Sequence, residues 1–215
     1  MSQQFHSPGH QSRQYPLDYW LSRDVARATP EGTQSVLRNM AWNQGQWRGL
    51  AVACGGSGAA LLAAALLILI LGGPAVGIVL FAVAGLVLLG CAVLALQKLR
   101  GVPRIKAVMQ SRAPGRFSSG LGLAAFLAVV FGIGLFPVVA PLLQGGPLQV
   151  LAFVAAYALM LVVTVSLFAV PAFFSEHARE HFRRRIDADP QLRRYLEEMA
   201  LTWQDNQGGR SFGPL

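Results

Sequence analysis

The sequence predicts an all-α polytopic membrane protein, a four-helix transmembrane bundle of two hairpins with short amphipathic helices on its cytoplasmic side. Three observations carry this prediction. Gly49 to Gln97 runs for 49 residues without Asp, Glu, Lys, Arg or His, and Phe117 to Ser175 does the same for 59. Each run is broken by one Gly-Gly-Pro, at Gly72-Gly73-Pro74 and at Gly145-Gly146-Pro147. All 18 Lys and Arg and all 10 Asp and Glu of the 215-residue chain lie outside the two runs, and a soluble fold has no reason to segregate charge so completely.

Crossing about 30 Å of hydrocarbon takes about 20 apolar helical residues, so each run holds two spans. Two glycines and a proline do not continue a helix comfortably, which sets the spans near 50–71, 75–97, 119–143 and 149–172, the last closing at Pro171. Barrel strands would alternate apolar and polar residues, whereas these stretches are apolar on every face. The chain then divides into an N-terminal segment (1–48), a first hairpin (49–97), a basic loop (98–116), a second hairpin (117–174) and a C-terminal helical tail (175–215).

Orientation follows from the Lys and Arg. The N-terminal segment carries five, the loop six and the tail seven, while neither Gly-Gly-Pro turn has one. The positive-inside rule then places both termini and the loop in the cytoplasm of a multi-pass plasma membrane protein. The Arg-rich composition points to a bacterial inner membrane. A cleaved signal peptide is not expected, because 48 mostly polar residues precede the first apolar run.

Taken in order, Met1 to Gln14 has the composition of a disordered segment. Leu17 to Ala28 predicts a short helix. Thr29-Pro30-Glu31 reads as an N-cap with proline at the first helical position, and Val36, Met40 and Trp47 then share a face, predicting a helix along the membrane surface before span 1. Trp42 and Trp47 suit the headgroup layer.

Lipid tails solvate leucine as well as another helix does, so spans associate through small residues that let backbones approach. Ala51, Gly55, Ala59 and Ala63 recur every four residues in span 1, beside Gly56, Ala60 and Ala64; Gly120, Ala124, Ala128 and Gly132 do so in span 3. Cys54 and Cys91 read as packing residues, since a disulfide near the cytoplasmic ends would sit in the wrong compartment. Pro137 and Pro141 predict a kink in the outer half of span 3. A shift of 73 residues superposes the two Gly-Gly-Pro turns together with Ala82, Leu86, Leu88 and Leu94 on identical residues. A tandem repeat about an axis along the membrane normal is one reading, and chance matching of apolar stretches is the other.

The loop basics, Lys98, Arg100, Arg104, Lys106, Arg112 and Arg116, face no acid, and at about 1 kcal/mol each near an anionic surface they are expected to hold lipid headgroups. Without interleaved aromatics they do not suggest nucleic acid as a partner. In the tail, His177, Glu180 and His181 match the H-x-x-E-H pattern of a zinc peptidase, but such a site needs a third ligand and a cleft. A solvated basic helix continuing span 4 explains the same residues, and no metal or cofactor is expected. Beyond Asp189-Pro190, a cap with proline at the first helical position, Leu192, Tyr195, Leu196, Met199 and Trp203 form an apolar stripe, expected to dock a partner. Its cover is the chain's own N-terminal helix, the membrane surface or another protein. Arg193 with Glu197 and Arg194 with Glu198 are expected to pair on the other face.

No Asp, Glu, Lys, Arg or His lies within the spans, where Ser57, Tyr157, Thr164, Ser166, the turn-proximal Gln144 and Gln149 and the boundary residues Gln97 and Ser119 are polar, which excludes ion coupling by this chain alone. The reading that remains is a non-enzymatic accessory or scaffolding subunit bound to a membrane or cytoplasmic partner, or to copies of itself. A channel or a transporter of neutral solutes or lipids is the alternative, and a metalloenzyme using His177 and His181 comes third.

Overall fold

The computed structural model describes residues 15–30, 35–101, 117–140, 146–203 and 211–215, apart from the side chains of 135 and 137–139. The described residues are 87% helical and contain no strand. In chain order the helices are α1 (Leu17–Leu21), α2 (Arg23–Ala28), α3 (Val36–Ile70), α4 (Ala75–Arg100), α5 (Phe117–Val139), α6 (Pro147–Glu176), α7 (Ala178–Ala188) and α8 (Pro190–Thr202). Helices α3, α4, α5 and α6 are long and apolar enough to cross a membrane, so the chain is an all-α polytopic bundle.

The first turn forms where the sequence places it. Gly72 takes φ +67°, a conformation that costs glycine nothing, and the Gly73 amide donates to Ile68 O over 2.9 Å, closing an end carbonyl of α3. At the second turn Gly146 takes φ +112° and Pro147 begins α6. Two boundaries differ from expectation. Pro171 does not close span 4, because α6 continues through it to Glu176. Nor does an interfacial helix precede span 1. Residues 36–70 form one helix of 35 residues, about 52 Å long, so about its first four turns project beyond the hydrocarbon. The apolar face read there as membrane-facing is covered by protein instead.

The spans pack side by side in the order α4, α3, α6, α5. About a third (33%) of the residues in the apolar window of α3 are buried, against 17% in α4 and 11% in α5 and α6, which makes α3 the central helix. Small residues set each contact. A Cβ on Gly58 would lie 2.8 Å from Gly85 O, and one on Gly85 2.9 Å from Gly58 O, so α3 and α4 touch backbone to backbone. Toward α6, a Cβ on Gly49 would lie 2.9 Å from Pro171 Cα and one on Gly56 2.6 Å from Ser166 Oγ. The α5 ladder lies on α6: Gly120 abuts Phe168 O and Ala172, Ala124 is buried, and Tyr157 donates to Ala128 O over 2.8 Å beside Gly132. In α3, Ala51 is buried and Gly55 half-buried, but Ala59 and Ala63 are exposed. α3 meets α6 through Gly49 and Gly56 and α4 through Gly58, so this row lies wholly on neither contact. Among the described residues α4 and α5 make no comparable contact, although a two-fold axis along the normal would pair them as it pairs α3 with α6.

Both ends of the chain fold together at one end of the bundle. Leu17, Val36, Leu37, Met40, Phe182, Ile186, Leu192, Leu196, Phe212 and Leu215 belong to one buried apolar core, with Trp20, Leu21, Met199 and Trp203 packed against it. Four spans return the chain to its starting side, and this shared core holds the two ends there. Of the chain start, Met1 to Gln14 lies outside the described residues.

Candidate functional site at the polar end

The polar end is built on extensions of two spans. α3 supplies Val36 to Gly49, and α7 follows α6 after His177. Gly45 lets them meet, since a Cβ there would lie 2.7 Å from Ala178 Cβ and 2.8 Å from Phe174 O. The Thr29 hydroxyl donates to Val25 O over 2.7 Å, and the residues it is expected to cap, 31 and 32, lie outside the described residues. The cap of α3 is Ser35, which accepts from the Arg38 amide over 3.2 Å and donates to Pro214 O over 2.6 Å. The next two amides, Val36 and Leu37, donate to Ser211 O and Phe212 O at 3.0 and 3.1 Å. Residues 211–215 therefore satisfy donors that the first turn of a helix leaves open. The Leu215 amide donates to Trp20 O over 3.0 Å, tying the same strap to α1.

The stripe of α8 expected to dock a partner is covered by this assembly. Asp189 caps α8 as expected, its Oδ1 accepting from Gln191 and Leu192 amides at 3.1 and 3.2 Å. Leu192 and Leu196 are buried in the chain's own core and Met199 and Trp203 half-buried against it, because α1, the start of α3 and α7 supply complementary apolar surface. Of the five, only Tyr195 is exposed; further along α8, Leu201 is exposed as well. Arg193 pairs with Glu197 at 3.1 Å and with Asp18 of α1 at 2.6 Å, while Arg194 and Glu198 stay apart.

The loop basics are described only at their start. Lys98 Nζ sits 4.4 Å above the Trp47 ring, a cation–π contact at the level where α3 leaves its charge-free stretch. Arg100 is exposed, and Arg104, Lys106, Arg112 and Arg116 lie outside the described residues, as do Gln144 and Pro141. The Glu176 carboxylate accepts from the Phe117 amide over 2.7 Å and so closes the start of α5.

The His177 and His181 rings lie 6.4 Å apart, and each stacks on a phenylalanine, His177 on Phe173 and His181 on Phe174. Among the described residues no three His, Cys, Asp or Glu come together as ligands. Burial, reinforced by Arg48, Arg184 and His177, pushes the His181 imidazole below its ordinary value against the pull of Glu180. Glu180 is engaged elsewhere, 3.2 Å from Arg23, 3.6 Å from Arg184 and 3.9 Å from Arg183.

That engagement belongs to a feature the sequence reading missed. Arg23 and Arg27 of α2, Arg179 and Arg183 of α7, Thr29, Ala26 and Leu215 line an open cleft of about 390 Å³. Each arginine pair is spaced four apart on its helix, a signal visible in the sequence, but nothing local says that α2 and α7 face each other.

Fold and site together define a polytopic membrane protein carrying a compact terminal unit on one side. Comparison with protein-family models, curated proteins and solved structures finds no match.

Proposed function

We propose that the chain is a non-enzymatic integral membrane accessory or scaffolding subunit of a bacterial inner membrane, with both termini cytoplasmic. The observation that supports this reading is the terminal unit itself. Residues of α1 and 211–215 share one buried core with the start of α3, α7 and α8, so that a folded surface stands on the extensions of the spans. Partner contact then falls to the outside of that unit, where Tyr195 and Leu201 are 37% and 57% exposed, since the inner stripe is already covered. Tyrosine is among the side chains that most often dominate docking energies.

The test is crosslinking in native membranes followed by mass spectrometry. A stoichiometric partner is expected, captured by the wild type and lost from the Tyr195→Ala/Leu201→Ala double variant, with His177→Ala/His181→Ala behaving as wild type. A second reading, lipid transport, is favoured by an apolar cleft of about 340 Å³ between α3 and α6, lined by Leu66, Leu67, Ile70, Ala158, Leu159 and Val162. A lone homo-oligomer that moves labelled lipid between leaflets of liposomes would replace the first reading with this one.

A further inference from the structure

The arginine cleft at the polar end holds more positive charge than the fold neutralises. Arg183 is fixed there, its Nε donating to Leu21 O at 3.1 Å and its Nη2 to Leu215 O at 3.2 Å, with its side chain only 18% exposed. Arg23 reaches both Glu180 oxygens at 3.2 Å. Among the described residues Arg27 pairs only with Asp24 at 3.9 Å, a loose surface pair in which both side chains are more than three-quarters exposed (80% and 92%). Arg179 has no ion-pair partner among the described residues. Burial pushes the Arg183 guanidinium down, and among its neighbours Arg23 and Arg179 push it further while Glu180 alone opposes. Four guanidinium groups crowd one opening, and Glu180 is shared among three arginines of which one, Arg184, does not line it.

We propose that this cleft binds a phosphate group, held between Arg23 and Arg27 of α2 and Arg179 and Arg183 of α7. Guanidinium groups match phosphate oxygens two at a time, and a multiply charged anion relieves the mutual repulsion that Glu180 and the loosely held Asp24 leave. Arg179 lies three residues beyond the end of α6, within about a turn of helix from the apolar span, so a lipid phosphate stands within reach. A soluble phosphate compound offers the same group. Neither of the described loop basics, Lys98 and Arg100, lines the cleft, and the proposal is independent of whether the chain scaffolds or transports.

The test uses the full chain in phosphatidylcholine nanodiscs, with and without phosphatidylglycerol, and measures bound lipid by native mass spectrometry. Inorganic phosphate and pyrophosphate are titrated separately into the phosphatidylcholine discs and followed calorimetrically. Arg183→Ala is avoided, because loss of its bonds to Leu21 and Leu215 threatens the fold. Arg27→Ala/Arg179→Ala removes exposed charge only. The expected result is one retained phosphatidylglycerol, or saturable phosphate or pyrophosphate binding, weakened about tenfold or more in that variant and restored in part by Arg27→Lys/Arg179→Lys. Lys98→Ala/Arg100→Ala should retain it, which separates the cleft from general attraction to an anionic surface. Retention of lipid alone assigns the headgroup and binding of the soluble probes alone assigns a solute. Wild type that binds neither, or a double alanine variant that binds as wild type does, overturns the proposal.

Discussion

Gly120 and Gly122 sit two residues apart on α5 and meet opposite surroundings. A Cβ on Gly120 would lie 2.6 Å from Phe168 O, 2.8 Å from Ala172 Cβ and 3.3 Å from Ala169 Cα, whereas one on Gly122 would meet nothing within 4 Å. The Gly120 neighbours are backbone or one bond from it, so they yield only if the helices part. Gly120→Ala is therefore expected to destabilise the bundle by about 1–3 kcal/mol, the usual cost of overpacking. Gly122→Ala should be neutral. Thermal unfolding of the two variants in detergent checks this, and equal melting points would refute the α5–α6 contact. This ladder was legible because the contact repeats along one helix face. The α3 ladder was legible only in part. α3 is flanked on two sides, with Gly49 and Gly56 turned to α6 and Gly58 to α4, and a single four-residue row describes neither side.

At the scale of elements, what the sequence revealed was local. The Gly72 turn, the Asp189 cap of α8 and the four helical spans each depend on neighbours a few residues away. The interrupted interfacial helix and the close at Pro171 failed for one reason: an element end also depends on what covers it. α3 extends because α7 and α8 bury Val36, Leu37 and Met40, and α6 passes Pro171 because Gly49 leaves room for its ring. The strap 211–215 carries no sequence signal, since it acts through backbone carbonyls on a helix start 176 residues away. Removing it should expose the Val36 and Leu37 amides, open a site vacated by Phe212 and Leu215, and loosen α1 from Trp20 onward. Hydrogen exchange on a chain ending at Arg210 is expected to show protection lost over 17–28 and at the start of α3, while the four spans keep theirs. Unchanged exchange at Val36 and Leu37 would mean that the strap does not cap α3.

At the scale of the whole molecule, the shared core of both ends and the placement of charge speak to different halves of the topology. The core shows that the two ends lie on one side; which side it is rests on the 18 Lys and Arg, none of them in either Gly-Gly-Pro turn. The row α4, α3, α6, α5 leaves each outer helix with most of its surface free, as Leu80 at 65% and Phe126 at 62% exposure show, and such surface suits lipid rather than water. Both turns must then cross to the far side. In a background with Cys54→Ala and Cys91→Ala, a cysteine at Leu71 or Leu148, both exposed beside a turn, is expected to react in intact cells with a thiol reagent that does not cross membranes. A cysteine at Asp187, exposed on α7, should react only after the cells are opened. The positive-inside rule has exceptions when charge is sparse, but here the bias is complete, and α3 carries Arg38 and Arg48 at the terminal-unit end of the first helix to insert. Labelling of Asp187→Cys in intact cells, with Leu71→Cys and Leu148→Cys silent, would invert the protein in its membrane. That result would place the arginine cleft outside, where anionic headgroups are scarcer.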